Sequence, residues 1–220
     1  MHDPIGQKTL EIMAQARHYN IWLYRQIKPY LSGSIAEVGS GTGTFTQKLI
    51  KDNYQVTTLD INQDYSAQIV LDLQTTNSPR QLFNKFDTIV ALNTLEHVEH
   101  ADRAMNNLYT MLKTSGRLVI LVPAGKWAFG SLDKSLGHFK RYDPQELVEL
   151  LSQAGFKVDV VRSLNFLGIW GWWWNSKITR RQVLPAWQVK LFDYLSLPWL
   201  WIESFVRFPF GLSLLAIAAK

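Results

Sequence analysis

The 220-residue chain has no cysteine, which excludes disulfides and thiolate-held metals and leaves its redox compartment open. No apolar run reaches the roughly 18 residues that a membrane-spanning helix needs. The richest stretch, Pro185 to Phe210, is interrupted by Pro198, Glu203, Arg207 and Pro209. Residues 1–7 include His2, Asp3 and Pro4 and hold no apolar centre of a secretory signal, so the cytoplasm is the expected location. Internal repeats, low-complexity linkers and clustered metal ligands are also missing from the sequence, and no metal is expected. What the chain has in excess is tryptophan, nine copies, most of them after Gly168, which sets the C-terminal part apart. Its formal charge of +5 is modest and suits a phosphate, an anionic membrane surface or solubility alone. The length suits one domain with a sizeable core.

The stretch Glu37-Val38-Gly39-Ser40-Gly41-Thr42-Gly43 organises the rest. A β-favouring lead from Ser34 to Val38 runs into three alternate glycines, and a helical pattern at Phe45, Leu49 and Ile50 follows. Glycines at such a turn allow positive φ and close approach, so backbone N–H groups and a helix N-terminus can face a ligand. A nicotinamide-dinucleotide turn would read G-x-G-x-x-G, and here the sixth position from Gly39 is Thr44. A second strand-like run, Gln55 to Asp60, ends 21 positions beyond Gly39 in an acid placed to accept ribose hydroxyls.

Further strand-like runs at Gln68 to Leu73, Phe86 to Leu92, Arg117 to Val122, Phe156 to Leu164 and Leu212 to Ala219 follow in order. Helical patterns are predicted over Thr9 to Leu31, Ala101 to Lys113 and Pro144 to Ala154. This alternation predicts an α/β fold with a doubly wound, mostly parallel sheet. Too few residues separate Asp60 from Gln68 for a full crossover helix, which is therefore shortened or missing. Gly116 reads as a helix stop, and Asp143, Pro144 and Glu146 read as N-cap, first-turn proline and N3 acid.

With its E-x-G-x-G-x-G turn, Asp60, and Asn93-Thr94-Leu95-Glu96-His97-Val98 after the fourth strand, the chain resembles a class I S-adenosylmethionine-dependent methyltransferase of the small bacterial type-11/12-like kind. The resemblance implies a Rossmann-like seven-stranded sheet with its last strand antiparallel and helices on both faces. It also implies S-adenosyl-L-methionine as cofactor, released as S-adenosyl-L-homocysteine. Implied cofactor contacts are Glu37, Gly39, Ser40, Gly41 and Gly43 in the turn, and Asp60 and Ile61 after the second strand. Asp72 and Leu73 correspond to the adenine side, Asn93 to the methionine side, and Tyr19 to a leading helix that lies over the pocket.

Gly137-His138-Phe139-Lys140-Arg141-Tyr142 resembles a G-H-x-x-R-Y segment of such enzymes and closes a long loop, Ala124 to Tyr142, on the rim where α/β sheets bind ligands. His138 is a candidate base, His97 either a base or a loop-holding residue, and Tyr142 a candidate catalytic or orienting group. Trp127, Arg141 and Trp170 are candidates for acceptor contact.

The expected organisation is a single domain over 1–220, with an N-terminal helix in 1–33 and a Trp-rich helical insertion, 165–210, between the sixth and seventh strands. That insertion begins and ends on the cofactor rim, so it is placed to cover the acceptor pocket. A lid, a homodimer contact and a membrane-surface contact are the open readings of its aromatics. The expected reaction is methyl transfer, on oxygen, to a small-molecule or lipid- or glycan-linked acceptor. The alternatives are a non-catalytic binding or assembly module and an RNA methyltransferase. Enzymes of this class that methylate nucleic-acid amino groups carry an Asn/Asp-Pro-Pro-aromatic stretch after the fourth strand, which this chain lacks, so nucleic acid is disfavoured as a partner.

Overall fold

In the computed structural model, which describes residues 4–65, 67–75 and 78–220, the strand-like runs assemble into one sheet. Its strands are β1 (Ser34–Val38), β2 (Gln55–Asp60), β3 (Ile69–Val70), β4 (Phe86–Leu92), β5 (Leu112–Pro123), β6 (Lys157–Leu164) and β7 (Ser213–Ala219). Their order is β3-β2-β1-β4-β5-β7-β6, parallel from β3 to β5, with β7 antiparallel to both β5 and β6. The fold class expected from the sequence is the one observed.

Alternation along β4 explains why this run is apolar from Ile89 to Leu92. Ile89 and Ala91 point into one core, and Val90 into the other. A strand covered on both faces leaves no side for polar residues. The first core is closed by α4 (Ala101–Met111) and α6 (Pro144–Gln153), through Met105, Leu108, Leu147 and Leu151. The second is closed by α1 (Pro4–Ala14), α2 (Arg17–Ile27) and α3 (Thr46–Lys51), whose Ile12, Leu23, Ile27 and Leu49 are buried.

Several local expectations are corrected. The leading helix is two helices, because the chain turns at Gln15 and Ala16, where the ψ of Ala16 is 68°. α3 is short, and Ile50 faces solvent while Leu49 alone of that pair is buried. Gly116 does not follow a helix end. It lies inside β5, in an irregular stretch where the register jumps from Phe86↔Leu112 to Thr88↔Arg117. Ser115 takes up the bend with a φ of 64°. Asp143 has an extended, cap-like backbone at the start of α6, but its side chain makes no cap bond, and Glu146 pairs with Lys140 and Lys126 instead. Among the described residues no helix lies between β2 and β3, as the short connection implies.

The loop after β5 is not structureless: it carries α5 (Ser131–Ser135) and a 3-10 turn at Lys126–Ala128. The insertion between β6 and β7 holds α7 (Gly168–Trp173), a π-helical turn at Trp174–Ile178, α8 (Ala186–Leu195) and α9 (Leu197–Glu203). Val189 of α8 and Leu200 of α9 join the second core against α2. Trp22 on α2 donates its indole N–H to Ser204 Oγ at 3.0 Å. Half of the insertion is therefore a layer over the N-terminal helices rather than a cover for the loop after β5. No helix among the described residues is long and apolar enough to cross a membrane.

Candidate cofactor and acceptor site

The glycine turn is built as its sequence requires. Gly39, Gly41 and Gly43 all have left-handed φ values, +71°, +50° and +77°. The N–H groups of Gly39 and Ser40 both reach back to the Leu59 carbonyl, at 2.8 and 3.2 Å, and so tie the turn to the end of β2. Glu37 at the end of β1 is buried and accepts the Thr46 hydroxyl from α3. Burial pushes its carboxyl up to about 7 against the opposing effect of that bond.

Asp60 is buried at the strand end, where Gly41 N–H donates to Oδ2 at 2.8 Å and Asn62 N–H to Oδ1 at 2.9 Å. A carboxylate has about four acceptor positions, so this pair of bonds fixes its orientation and leaves room for a ribose diol. Ile61 beside it is exposed. Asp72 uses Oδ1 to accept the Gln74 N–H at 2.9 Å, and Leu73 is buried in the first core. Asn93 is exposed at the end of β4 with a φ of 52°, a conformation that asparagine tolerates better than most residues. Polar groups of these types, gathered around the glycine turn, are compatible with the adenosyl group expected from the sequence. Tyr19 lies elsewhere: it is buried beside Trp22 and Phe192, with its hydroxyl near Asn165 and Ser213, and burial pushes it up to about 12.

Two residues that sequence reading passes over hold the site together. Asn107 on α4 is buried and donates Nδ2 to the carbonyls of Leu73 (2.8 Å) and Thr75 (2.9 Å), while its Oδ1 accepts the Ser78 N–H at 2.9 Å. It fixes the backbone that follows Asp72. Asp133 on α5 is fully buried and gathers four donors: Gly130 N–H (2.9 Å), Arg141 Nε (2.8 Å), Trp172 Nε1 (3.3 Å) and His138 Nδ1 (3.0 Å). Burial alone would raise this carboxyl, but the His138 bond, the Arg141 charge and the Gly130 N–H hold it below the usual carboxylate range. The signal was in the G-H-x-x-R-Y segment, since an acid five residues before His138 and eight before Arg141 can pair with both.

His138 in turn stacks edge-on with His97, ring centroids 4.8 Å apart. Glu96 is buried next to them with no hydrogen-bond partner for Oε2, and burial pushes its carboxyl up to about 7. Chain spacing shows no metal cluster, yet the fold brings single ligand atoms of Glu96, His97 and His138 within 4.8 Å of one another. Tyr142 and Arg141 are less open than expected. The Tyr142 hydroxyl donates to the Leu95 carbonyl at 3.3 Å inside the first core. The Arg141 guanidinium is 1 % exposed, bonded to Asp133 and the Ala124 carbonyl and stacked 4.7 Å from the Trp172 ring. Both are framework groups in this geometry, and only opening of the loop would bring either to a substrate.

Trp127 and Trp170 are brought together. With Phe166, Ile169, Trp173 and Phe210 they line an apolar cavity of about 240 Å³. A second, larger hollow of about 510 Å³ lies between α1, α2, the glycine turn and α3, with Arg17, Asn20, Thr42 and Lys48 among its walls.

Comparison with known proteins agrees with this geometry. The methyltransferase-domain family matches residues 16–161. Malonyl-[acyl-carrier protein] O-methyltransferase 1 of Ilyobacter polytropus is 24% identical over 179 residues, 70% of this chain and 64% of that protein. The ubiquinone biosynthesis O-methyltransferase of Rickettsia bellii is 22% identical over 154 residues, 59% of this chain and 64% of that protein. The chain thus spans just under two thirds of the length of the curated relatives it matches. Among solved structures, a Thermotoga maritima S-adenosylmethionine-dependent methyltransferase, described as a possible histamine N-methyltransferase, superposes with a TM-score of 0.65 at 16% identity over 98% of both chains. A methyltransferase of Archaeoglobus fulgidus gives a TM-score of 0.60 at 16% identity, over 92% of this chain and 94% of its own. The family match spans the glycine turn, Asp60, Asn93 and the His97–His138 cluster, and the chain belongs to the class I S-adenosylmethionine-dependent methyltransferase family.

Proposed function

We propose that this chain transfers a methyl group from S-adenosylmethionine to an acceptor oxygen on a small molecule or a lipid- or glycan-linked molecule. The cofactor, when bound, supplies an electrophilic methyl group on a sulfonium. Gly39 to Gly43, Asp60, Asp72 and Asn93 orient it, and alignment with the acceptor is the main demand of such an in-line displacement.

The observation that carries the choice of oxygen is the Asp133–His138 pair. An acceptor hydroxyl must lose a proton as the methyl group arrives, so it gains from a positioned base. Asp133 accepting from Nδ1 places a proton there and leaves the Nε2 lone pair of His138 as that base. The cavity between Trp127 and Trp170 suits an apolar part of the acceptor. Two relatives are named as O-methyltransferases, which agrees with this choice.

Calorimetric titration of S-adenosylmethionine and S-adenosylhomocysteine into wild type, Asp60→Ala and His138→Gln tests the proposal, followed by acceptor screening with lipid and glycan pools. Binding that is strongly weakened in Asp60→Ala and retained in His138→Gln, with transfer lost in the latter, is the expected result. A wild type that binds neither ligand would overturn it in favour of an assembly module.

A further inference from the structure

The insertion between β6 and β7 buries its acids and exposes its cations. It has two carboxylates. Asp193 accepts the N–H groups of His18 and Tyr19, at 3.1 and 2.8 Å, and so caps the start of α2 from within the fold. Glu203 is equally buried and accepts the N–H groups of Asn165 and Phe166. Lys177, Arg180, Arg181, Lys190 and Arg207, by contrast, are all exposed. Among the described residues no carboxylate lies within ion-pair distance of any of the five.

Many apolar residues of the same segment face outward in helical stripes. Trp170, Trp174 and Ile178 recur every four residues along α7 and the π-helical turn, and all are at least half exposed. On α8, Trp187, Leu191, Tyr194 and Leu195 share the face opposite buried Val189 and Asp193. Trp201 and Phe205, 68% and 73% exposed, continue the pattern at the end of α9. So much exposed aromatic surface on a folded domain marks an interaction site rather than chance.

We infer that this surface docks on an anionic lipid bilayer, with its short helices lying in the plane of the headgroups. Tryptophan and tyrosine settle at the boundary between headgroup and acyl chain, and interleaved lysine and arginine pair with phosphates above it. A second copy of the chain is a poor occupant, because it would set cations against cations with no exposed acid of the segment to answer them. The helices are too short to span, so they can only lie flat.

Trp170 belongs both to this surface and to the wall of the aromatic cavity, so the cavity opens where the lipid lies. Resting on the proposed methyl transfer, this narrows the acceptor to the lipid-linked class, delivered from the bilayer.

The test is co-sedimentation of the full chain with vesicles of phosphatidylcholine alone and of phosphatidylcholine mixed with phosphatidylglycerol. Wild type is expected to bind the mixed vesicles, to bind the neutral ones poorly, and to lose affinity as salt rises. Arg181→Ala with Lys190→Ala should weaken binding roughly twenty-five-fold, since each cation near an anionic surface contributes about fivefold. Trp187→Ser with Trp201→Ser should weaken it as well, with an unchanged thermal midpoint because both side chains are exposed. Equal binding to both vesicles, no binding, variants that bind like wild type, or a lipid-free dimer that shields these tryptophans would overturn the inference. Cofactor titration in lipid-free buffer reads the methyltransferase proposal separately, so either can fail alone.

Discussion

A Cβ built on Gly39 would stand 2.2 Å from the hydroxyl oxygen of Thr94, because the chain leaves the paired strands β1 and β4 side by side there. Thr94 cannot simply swing away, since its hydroxyl donates to the Val38 carbonyl at 3.0 Å. With a φ of +71° at the same residue, any side chain meets both a clash and a strained backbone. Gly39→Ala is expected to lower the unfolding free energy by about 2–3 kcal/mol. It should also weaken S-adenosylmethionine binding, read by urea denaturation and calorimetry on the same sample. Wild-type stability in the variant would mean that this contact is loose.

The Asp133 cluster makes a sharper prediction. Asp133→Asn leaves the buried Arg141 charge without its counter-ion, and breaking such a pair from one side costs about 3–5 kcal/mol. Adding Arg141→Met removes the orphaned charge and should recover a large part of that loss. Denaturant unfolding of the two variants checks it: if the double variant is no more stable than the single one, the ion pair is not what the site depends on.

Glu96 and Glu37 predict how stability depends on pH. Both carboxyls rise from an ordinary 4.5 to about 7 in the folded chain, chiefly through burial. The folded state therefore holds their protons more tightly than the unfolded state does. The stability this contributes is fully present below about pH 4.5 and is lost as pH rises through about 7. The difference corresponds to about 3 kcal/mol for each group. Glu96→Gln should flatten its share of the decline when unfolding free energy is measured between those limits, whereas an unchanged slope would rule out a buried, ionising Glu96.

Asn107→Ala should strip the partners from the Leu73 and Thr75 carbonyls and from the Ser78 N–H, at a cost of about 1–3 kcal/mol for each group left buried and unpaired. Because these atoms follow Asp72 directly, the affinity for S-adenosylhomocysteine should fall with the stability. Hydrogen exchange at Ser78 would report the loosening; protection equal to wild type would show that the asparagine is dispensable.

What was legible beforehand follows from how local the determining physics is. The β4 run was readable because a strand buried on both faces is apolar along most of its length, here from Ile89 to Leu92. Asp60 was readable because strand, glycine turn and acid lie within one βαβ unit. Asn107 was not, because one polar residue in an amphipathic helix looks the same whether it meets solvent or a buried loop. The approach of His138 to the adjacent Glu96 and His97 was not legible either, since it depends on how the loop carrying α5 folds back over the end of β4. The Gly116 reading failed for a related reason: a glycine after a helical pattern marks an end equally well when a bulged strand takes over at once. Tyr142 and Arg141 were recognised as important, but residue type alone could not tell a framework role from contact with an acceptor.

The position of β7 has a consequence for how the chain is made. It lies between β5 and β6, and among the described residues β6 pairs with nothing else. A ribosome delivers β6 first, then the whole aromatic insertion, and only then the strand that joins β6 to the sheet. Until that moment β5 has a raw edge and β6 has no hydrogen-bonded neighbour, with a tryptophan-rich segment hanging between them. Such an edge is a template for pairing with other chains. The nascent protein therefore passes through an aggregation-prone state between the synthesis of β6 and that of β7, when a chaperone or a lipid surface that occupies the aromatic segment would protect it.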